Sequence, residues 1–266
     1  MKRHLHLSRI AIPGLISLKF TVALLILPAL LAWPALASAQ DGRQVSFRSG
    51  DETVHGLLYL PAGAGPHPAL VVIHEWWGLN DWVKEQAAGW ARLGYVALAV
   101  DLYRGPVATD MEQAHELMRG LPQDRGVRDL AAAANYLRSR KDVERAKIGA
   151  VGWCMGGGFA LQLEIADPAL RAVAVNYGAL ATDPAALARI HAAVLGNFGG
   201  QDMGITPASV EAFTAAMRKL GKSVNTKIYP DAGHAFENPA NQGGYRPADT
   251  ADAQRRMRQF FARTLQ

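Results

Sequence analysis

The 266-residue sequence lacks several features that would point to particular classes of protein. It has a single cysteine, Cys154, so no disulfide can form within the chain. It contains no internal repeat and no low-complexity tract. Four of its histidines are scattered and show no spacing typical of metal ligands; these are His55, His67, His115 and His191. We therefore expect neither a disulfide-stabilised scaffold nor a metalloprotein, and no cofactor.

Acidic residues are absent from the first 39 positions, which carry Lys2, Arg3, Arg9 and Lys19. Without these four, the 28 basic residues of the chain fall to 24, against 23 acidic ones. The rest of the chain is therefore close to neutral. A nearly neutral domain gives no electrostatic reason to expect a nucleic acid or another polyanion as a partner.

The N-terminal segment has the parts of a secretory signal peptide. Its basic start is followed by an apolar run from Phe20 and then by Ala37-Ser38-Ala39, a small-x-small sequence of the kind that signal peptidase cleaves. We predict a signal peptide over residues 1–39, export to the periplasm, and no membrane association after cleavage. The alternative is an uncleaved inner-membrane anchor, because the uncharged stretch from Phe20 to Gln40 is long enough to span a bilayer.

From Gln44 onward, segments typical of strands alternate with segments typical of helices. We predict strands at 45–48, 54–60, 69–73, 95–100, 147–151, 172–176, 192–198 and 224–229, the first two antiparallel. We predict helices at 81–93, 124–140, 155–166, 207–220 and 246–264. Asp81 is expected to cap the first helix, and residues 103–120 are predicted to be irregular. The alternation predicts one α/β domain over residues 40–266, with a doubly wound, mostly parallel sheet of about eight strands.

The segment Gly152-Trp153-Cys154-Met155-Gly156 joins a predicted strand to a predicted helix. Glycine-x-nucleophile-x-glycine is the pattern of a nucleophile elbow, a sharp turn at which two glycines avoid a collision. Such a turn places Cys154 at a helix N-terminus, whose partial positive charge favours thiolate, and leaves the N–H of Met155 free to stabilise an oxyanion. The alternative is a packed cysteine on a glycine-rich turn.

Asp202 and His234 follow later strands in the chain order nucleophile, acid, histidine. Each lies on the loop after the carboxyl end of a predicted strand, which is where doubly wound sheets carry their chemistry. Asp231 is a competing carboxylate, but it is not on the loop that carries the acid. The sequence therefore predicts a triad of Cys154, Asp202 and His234.

The loop after the strand at 69–73 begins at His74, which we interpret as packing, and should supply the second oxyanion donor. The candidate donor is the N–H of Trp76. Glu75 places a carboxylate beside this donor; an ion pair or a helix cap is the alternative interpretation. Trp77 is expected either to line an apolar site or to belong to the core.

These motifs resemble those of the dienelactone hydrolase family, in order and in spacing, from about Val45 to Phe261. The likeness includes Asp101-Leu102-Tyr103-Arg104 and Gly233-His234-Ala235-Phe236. The resemblance implies the α/β-hydrolase fold and a role for Glu75 in holding the resting thiol neutral and activating it when substrate binds. It also implies hydrolysis of dienelactone to maleylacetate.

The sequence departs from the dienelactone-specific members at positions that grip the substrate carboxylate. Where they carry a serine and an arginine after the histidine, this chain has Ala235 and Asn238, and Arg104 comes one residue early. Tyr103, Arg104 and Trp77 are candidate substrate contacts.

We predict a monomeric hydrolase of small-molecule esters or lactones that forms an acyl-thioester on Cys154 and prefers neutral substrates to dienelactone. Three alternatives remain open. The first is a non-catalytic ligand-binding protein on a hydrolase scaffold, the second a thiol redox sensor, and the third a carboxylesterase unrelated to dienelactone.

Overall fold

Eight strands form one sheet in the computed structural model, which describes residues 42–266; the predicted signal peptide lies outside the described residues. The strands are β1 Arg43–Ser49, β2 Glu52–Tyr59, β3 His67–Ile73, β4 Val96–Asp101, β5 Val143–Trp153, β6 Ala172–Asn176, β7 Ala193–Gly199 and β8 Val224–Tyr229. Their order across the sheet is β1-β2-β4-β3-β5-β6-β7-β8. The β1–β2 and β2–β4 pairs are antiparallel and every other pair is parallel. The predicted mostly parallel, eight-stranded sheet is confirmed.

Helices cover both faces of this sheet. They are α1 Asp81–Arg92, α2 Met111–Arg119, α3 Gln123–Ser139, α4 Met155–Ala166, α5 Pro184–Ala188, α6 Pro207–Lys219 and α7 Pro247–Leu265. Alternate residues of β3 supply the two halves of the core, because successive side chains of a strand point to opposite faces. Leu70 and Val72 pack with α1 and α7, whereas Val71 and Ile73 pack with α3, α4 and α6. All four are fully buried, which explains the unbroken apolar run of β3.

Three local features differ from the sequence prediction. Asn80 caps α1 by accepting a hydrogen bond from the N–H of Val83, so Asp81 is the first helical residue and the prediction that it is the cap was wrong. Part of the stretch predicted as irregular forms α2, and a short helix, α5, follows β6. Asp110 caps α2 through the N–H of Gln113. Only Ala114 of α2 is buried, although Met111, Ala114, Leu117 and Met118 recur at helical spacing, so the sequence held a periodic signal that the prediction of an irregular segment missed.

No helix within residues 42–266 has the length and hydrophobicity needed to cross a membrane. The fold brings the carboxyl ends of several strands together at one edge of the sheet. These ends lie side by side because the strands are parallel to one another; they are β3, β5, β6, β7 and β8. The loops that leave these ends carry the residues that the sequence singled out.

Candidate active site

Cys154 directly follows β5 and is the residue from which α4 begins. Its backbone has φ 54° and ψ −120°, a left-handed conformation that is strained for any residue other than glycine. Its N–H donates to the carbonyl of Asn176 on β6 (3.0 Å), and its own carbonyl accepts from the N–H of Gly157 (3.0 Å). The turn is therefore held by the neighbouring strand on one side and by the first turn of α4 on the other. The side chain is partly exposed.

The two glycines around Cys154 are required for different reasons. A Cβ on Gly152 would lie 2.1 Å from the carbonyl oxygen of Gly156, so this glycine allows the chain to fold back on itself. A Cβ on Gly156 would instead lie 2.5 Å from the carbonyl oxygens of Ile73 and His74. Gly156 thus allows the start of α4 to approach the loop after β3, which carries Glu75 and Trp76.

His234 and Asp202 lie beside each other, with His234 Nδ1 2.7 Å from Asp202 Oδ2. The Asp202 side chain is buried, and its Oδ1 accepts the backbone N–H groups of Gly204 (2.8 Å) and Ile205 (2.9 Å). Burial alone would raise the pKa of Asp202, but these bonds and the one to His234 outweigh it and lower the pKa. Asp202 is therefore an anion that fixes the orientation of the imidazole.

The pKa of His234 is raised to about 10. Burial works in the opposite direction, but the hydrogen bond to Asp202 and its charge, together with the nearby side chain of Cys154, outweigh it. The structure thus brings Cys154, His234 and Asp202 together, with His234 between the thiol and the carboxylate.

Glu75 is buried beside this group, with 1% of its surface exposed. Asn238 Nδ2 donates to its Oε2 at 2.6 Å, and the Tyr177 hydroxyl donates to its Oε1 at 3.4 Å. Burial raises the pKa of Glu75 to about 7, although these two bonds and the charge of His234 lower it in part. Its carboxyl group can therefore gain or lose a proton near neutral pH.

Glu237 is a second buried carboxyl group, on the loop after His234. Its Oε2 accepts the indole N–H of Trp153 at 3.3 Å, whereas its Oε1 has no hydrogen-bond partner within residues 42–266. Burial raises the pKa of Glu237 to about 8, and the charge of Glu75 adds to this shift. At neutral pH Glu237 is therefore mainly a neutral acid.

The two predicted oxyanion donors are not used elsewhere. No hydrogen bond within the described part of the chain is donated by the backbone N–H of Met155 or of Trp76. The Tyr103 hydroxyl donates to the carbonyl of Trp76 at 3.0 Å and lies 3.4 Å from Met155 Sδ. Tyr103 is itself buried, so it joins the loop after β3 to the start of α4 and is not open to substrate.

His74 holds the same loop in place through two hydrogen bonds. Its Nδ1 donates to the carbonyl of Glu75 (2.5 Å) and its Nε2 accepts from the N–H of Leu102 (3.2 Å). The imidazole is fully buried, which lowers its pKa and keeps it neutral. His74 therefore has the structural role that its sequence position indicates.

The structure does not bring Arg104 to this group. Its two terminal nitrogens donate to Glu52 Oε1 (2.9 Å) and Oε2 (3.1 Å) and to Asp129 Oδ2 (2.9 Å), so they are held by two carboxylates of the fold, whereas its Nε has no partner within residues 42–266. Trp77, the other candidate substrate contact, packs edge-on against Trp76 at 5.1 Å between ring centres.

A cavity of about 350 Å³ opens beside Cys154. Residues of α2, α3, α4 and the loop after β6 line it; Cys154 aside, they are Met118, Leu121, Gln123, Met155, Gly158, Phe159, Gln162, Ala179 and Leu180. No charged side chain and no residue of the His234 loop is among them. The nucleophile elbow therefore faces a mostly apolar, uncharged space.

Two residues of this site were not found from the sequence. Tyr177 directly follows β6 at the same sheet edge, and its ring packs edge-on against His234 at 5.3 Å, so the rule that chemistry lies at strand ends could have found it. Asn238 gave no such signal. Its contact with Glu75 joins residues 163 positions apart in the chain, and no local pattern encodes it.

Comparisons with known proteins bear on the fold and the family of the chain. The model of the Dienelactone hydrolase family matches residues 54–265. A Methylorubrum extorquens protein named "Putative carboxymethylenebutenolidase" is 31% identical over 232 residues, which are 82% of this chain and 79% of that protein.

Two solved structures extend the likeness. Dienelactone hydrolase from Anabaena variabilis is 25% identical with a TM-score of 0.64, over 85% of this chain and 98% of that one. A dienelactone hydrolase-like promiscuous phosphotriesterase from metagenomic libraries is 25% identical with a TM-score of 0.78, again over 85% and 98%. This chain is a hydrolase with the α/β-hydrolase fold, and it belongs to the dienelactone hydrolase family.

Proposed function

We propose that this protein cleaves ester or lactone bonds with Cys154 as the nucleophile, His234 as the base and Asp202 as the group that orients it. The observation that carries the proposal is the strained elbow at Cys154 with the His234–Asp202 pair, 2.7 Å apart, beside it. Strain of this kind persists where the surrounding structure enforces it, and such positions cluster at active sites.

The first half of the reaction forms an acyl-thioester. His234 Nδ1 is bonded to Asp202, so Nε2 is the nitrogen that receives the thiol proton of Cys154, and the raised pKa of His234 lets the imidazole keep this proton and stabilise the thiolate. The thiolate sulfur then attacks the carbonyl carbon, and the carbonyl π electrons move onto oxygen. The N–H groups of Met155 and Trp76 stabilise this oxyanion, which is worth about 3–4 kcal/mol for each well-placed donor. When the intermediate collapses, the bond to the alcohol oxygen breaks and His234 donates its proton to that oxygen.

The second half of the reaction releases the acid. His234, neutral again, takes a proton from water, and the resulting hydroxide attacks the thioester carbon. The C–S bond breaks, the proton on His234 returns to sulfur, and the carboxylic acid leaves. Every step uses residues of the chain and the substrate, so the proposal requires neither a metal nor an organic cofactor.

Glu75 controls the thiol in this proposal. An ionised carboxylate in a buried site disfavours a second negative charge nearby, so Glu75 keeps Cys154 protonated until substrate arrives. Burial first, and then the charges of Glu75, Glu237 and Cys154, raise the pKa of the Tyr177 hydroxyl, so Glu75 and the thiol both lie near Tyr177. Asn238 and Tyr177 position the Glu75 carboxyl group by hydrogen bonds.

The test is the Cys154→Ala variant, assayed for kcat/KM with p-nitrophenyl acetate. We expect a loss on the order of 10³-fold or more, because no other residue can form the thioester. Thermal unfolding and circular dichroism should show that the fold is retained. Turnover by the alanine variant at near the wild-type rate would show that Cys154 is not the nucleophile.

A non-catalytic binding protein and a thiol redox sensor are the rival functions, since a fold alone does not establish catalysis. Iodoacetamide at one equivalent separates them from the hydrolase. We expect loss of ester hydrolysis in proportion to the fraction of Cys154 alkylated. Neither rival turns over ester before alkylation.

A further inference from the structure

The 350 Å³ cavity beside Cys154 is lined mainly by apolar side chains and by a few polar ones. Met118, Leu121, Phe159 and Leu180 provide apolar surface, and the side-chain amides present are neutral. We infer that this cavity holds the acyl group of an uncharged ester, and that the enzyme prefers acyl chains of medium length to acetyl. The inference rests on the proposed function and names the substrate class of the same site.

The position of His234 decides which end of the ester enters the cavity. The departing alcohol oxygen must receive its proton from His234, so the alcohol has to leave on the side of Cys154 that His234 occupies. No residue of the His234 loop lines the cavity, whereas Met155, whose N–H faces the developing oxyanion, does line it. The group that points away from His234 is the one attached to the carbonyl carbon, which is the acyl chain.

The charge of the lining decides the class of acyl group. A carboxylate moved from water into an apolar cavity loses its hydration and needs a cation or several donors in return. The cavity offers Gln123 and Gln162 but no arginine or lysine. Arg104 is bonded to Glu52 and Asp129, so its guanidinium is not free to reach in. A neutral hydrocarbon chain is the acyl group that this lining stabilises.

The expected preference follows from the transfer of methylene groups out of water. Each methylene buried against an apolar wall is worth about 0.8 kcal/mol, or about fourfold in kcat/KM. A cavity of this volume lies within the range of small-molecule sites, roughly 300–1,000 Å³. We expect kcat/KM for p-nitrophenyl hexanoate to exceed that for p-nitrophenyl acetate by about tenfold or more.

Met118 and Met111 provide a matched pair for the test. Both are on α2 and both are at least partly exposed, but only Met118 lines the cavity. Met118→Trp adds volume to the wall, so we expect the hexanoate-to-acetate ratio of kcat/KM to fall at least fivefold. Met111→Trp, with the same chemical change on the outer surface of the same helix, should leave the ratio unchanged. Leu180→Ala, which enlarges the cavity, should move the optimum to a longer acyl chain.

A second comparison tests the charge of the acyl group with one leaving group throughout. Methyl hexanoate and monomethyl adipate have acyl chains of equal length, but the adipate chain ends in a carboxylate. We expect the hexanoate to be hydrolysed with kcat/KM at least tenfold higher.

The possible results distinguish a failure of the acyl-cavity inference from a failure of the proposed function. Equal rates on hexanoate and acetate, with no change of ratio in Met118→Trp, would overturn the acyl-cavity assignment while ester hydrolysis through Cys154 stands. Preferred hydrolysis of the adipate would likewise overturn it. No hydrolysis of any ester, or hydrolysis that survives Cys154→Ala, would instead overturn the proposed function.

Discussion

Glu75 and Glu237 show how strongly the surroundings of a single residue set its chemistry. Both carboxyl groups are buried, yet Glu75 accepts two side-chain hydrogen bonds and Glu237 accepts one, from Trp153. Hydrogen bonds stabilise the charged form, so the group with fewer donors has the higher pKa. The pKa values of about 7 for Glu75 and about 8 for Glu237 follow this order.

The raised pKa of Glu237 predicts a pH dependence of folding stability. Folded protein keeps a proton on Glu237 up to about pH 8, whereas the unfolded chain releases it near 4.5, the ordinary pKa of a glutamate side chain. The folded state therefore binds more protons between these values, and the free energy of unfolding falls as pH rises through this window. The limit is on the order of 5 kcal/mol, from 1.36 kcal/mol per pKa unit.

Urea unfolding at pH 5.5 and pH 8.0 measures this dependence. Glu237→Gln cannot ionise and still offers an oxygen to the Trp153 indole, so we expect a smaller loss of stability between the two pH values than in the wild type. The comparison uses the difference between pH values, because a buried amide with one unpaired group has its own cost of about 1–3 kcal/mol. Glu85→Gln, on the exposed surface of α1, is the matched control. A wild-type loss unchanged by Glu237→Gln would show that Glu237 does not stay protonated in the fold.

At the scale of elements, the loop after β4 is anchored by Arg104. This residue has φ 61°, in the left-handed region, and its guanidinium joins Glu52 on β2 to Asp129 on α3. The Asp129 side chain is fully buried, and the Ser49 hydroxyl donates to its other oxygen at 2.5 Å. The arrangement ties the antiparallel edge of the sheet to a helix of the parallel part.

We therefore predict that Arg104→Ala acts on stability and not on substrate recognition. Removing the arginine leaves the buried Asp129 with only the more distant Arg128, whose Nε lies 3.9 Å from Oδ1, and breaking a buried ion pair typically costs up to about 3–5 kcal/mol. The measurement is the free energy of unfolding, together with KM for p-nitrophenyl hexanoate. Arg128→Ala is the control, since Arg128 also pairs with Glu52 but is half-exposed, and exposed pairs contribute about 1 kcal/mol or less. A raised KM with unchanged stability would return Arg104 to the role of a substrate contact.

The elements that could be predicted from the sequence are those whose pattern is local. The bounds of β6, β8 and α4 agree with the sequence prediction. The strand β6 is a continuous apolar run, β8 combines β-branched and aromatic residues between turn residues, and α4 is a helical run after the elbow. The helix α2 was missed although its sequence carries two local signals, apolar residues at helical spacing and the cap residue Asp110 three positions before Gln113. The helix buries only Ala114, and its many polar residues make the segment look like a loop.

At the scale of the whole molecule, the residues of the site also divide into those that could be predicted from the sequence and those that could not. Cys154, Asp202 and His234 each follow a strand of one parallel sheet, so the chain order alone could place them near each other. The environment of Glu75 could not be predicted, since it depends on Asn238 and Tyr177 from two other loops. A sequence shows which side chains a loop presents, but a buried polar contact depends on how several loops pack together.

The last prediction concerns where the whole molecule resides. The described sheet begins at Arg43, so cleavage after Ala39 would remove the basic, apolar leader and leave β1 intact. We predict that protein recovered from the cell envelope of an expressing bacterium begins at Gln40, or within a few residues of it, because Ala37-Ser38-Ala39 fits signal peptidase. Mass spectrometry of the intact protein measures this. Ala39→Arg places a large charged residue at the cleavage position and should retain the leader, whereas the same change at Gln44, on β1, should not. Recovery of the wild type with Met1 and its leader in the membrane fraction would show an anchored protein instead.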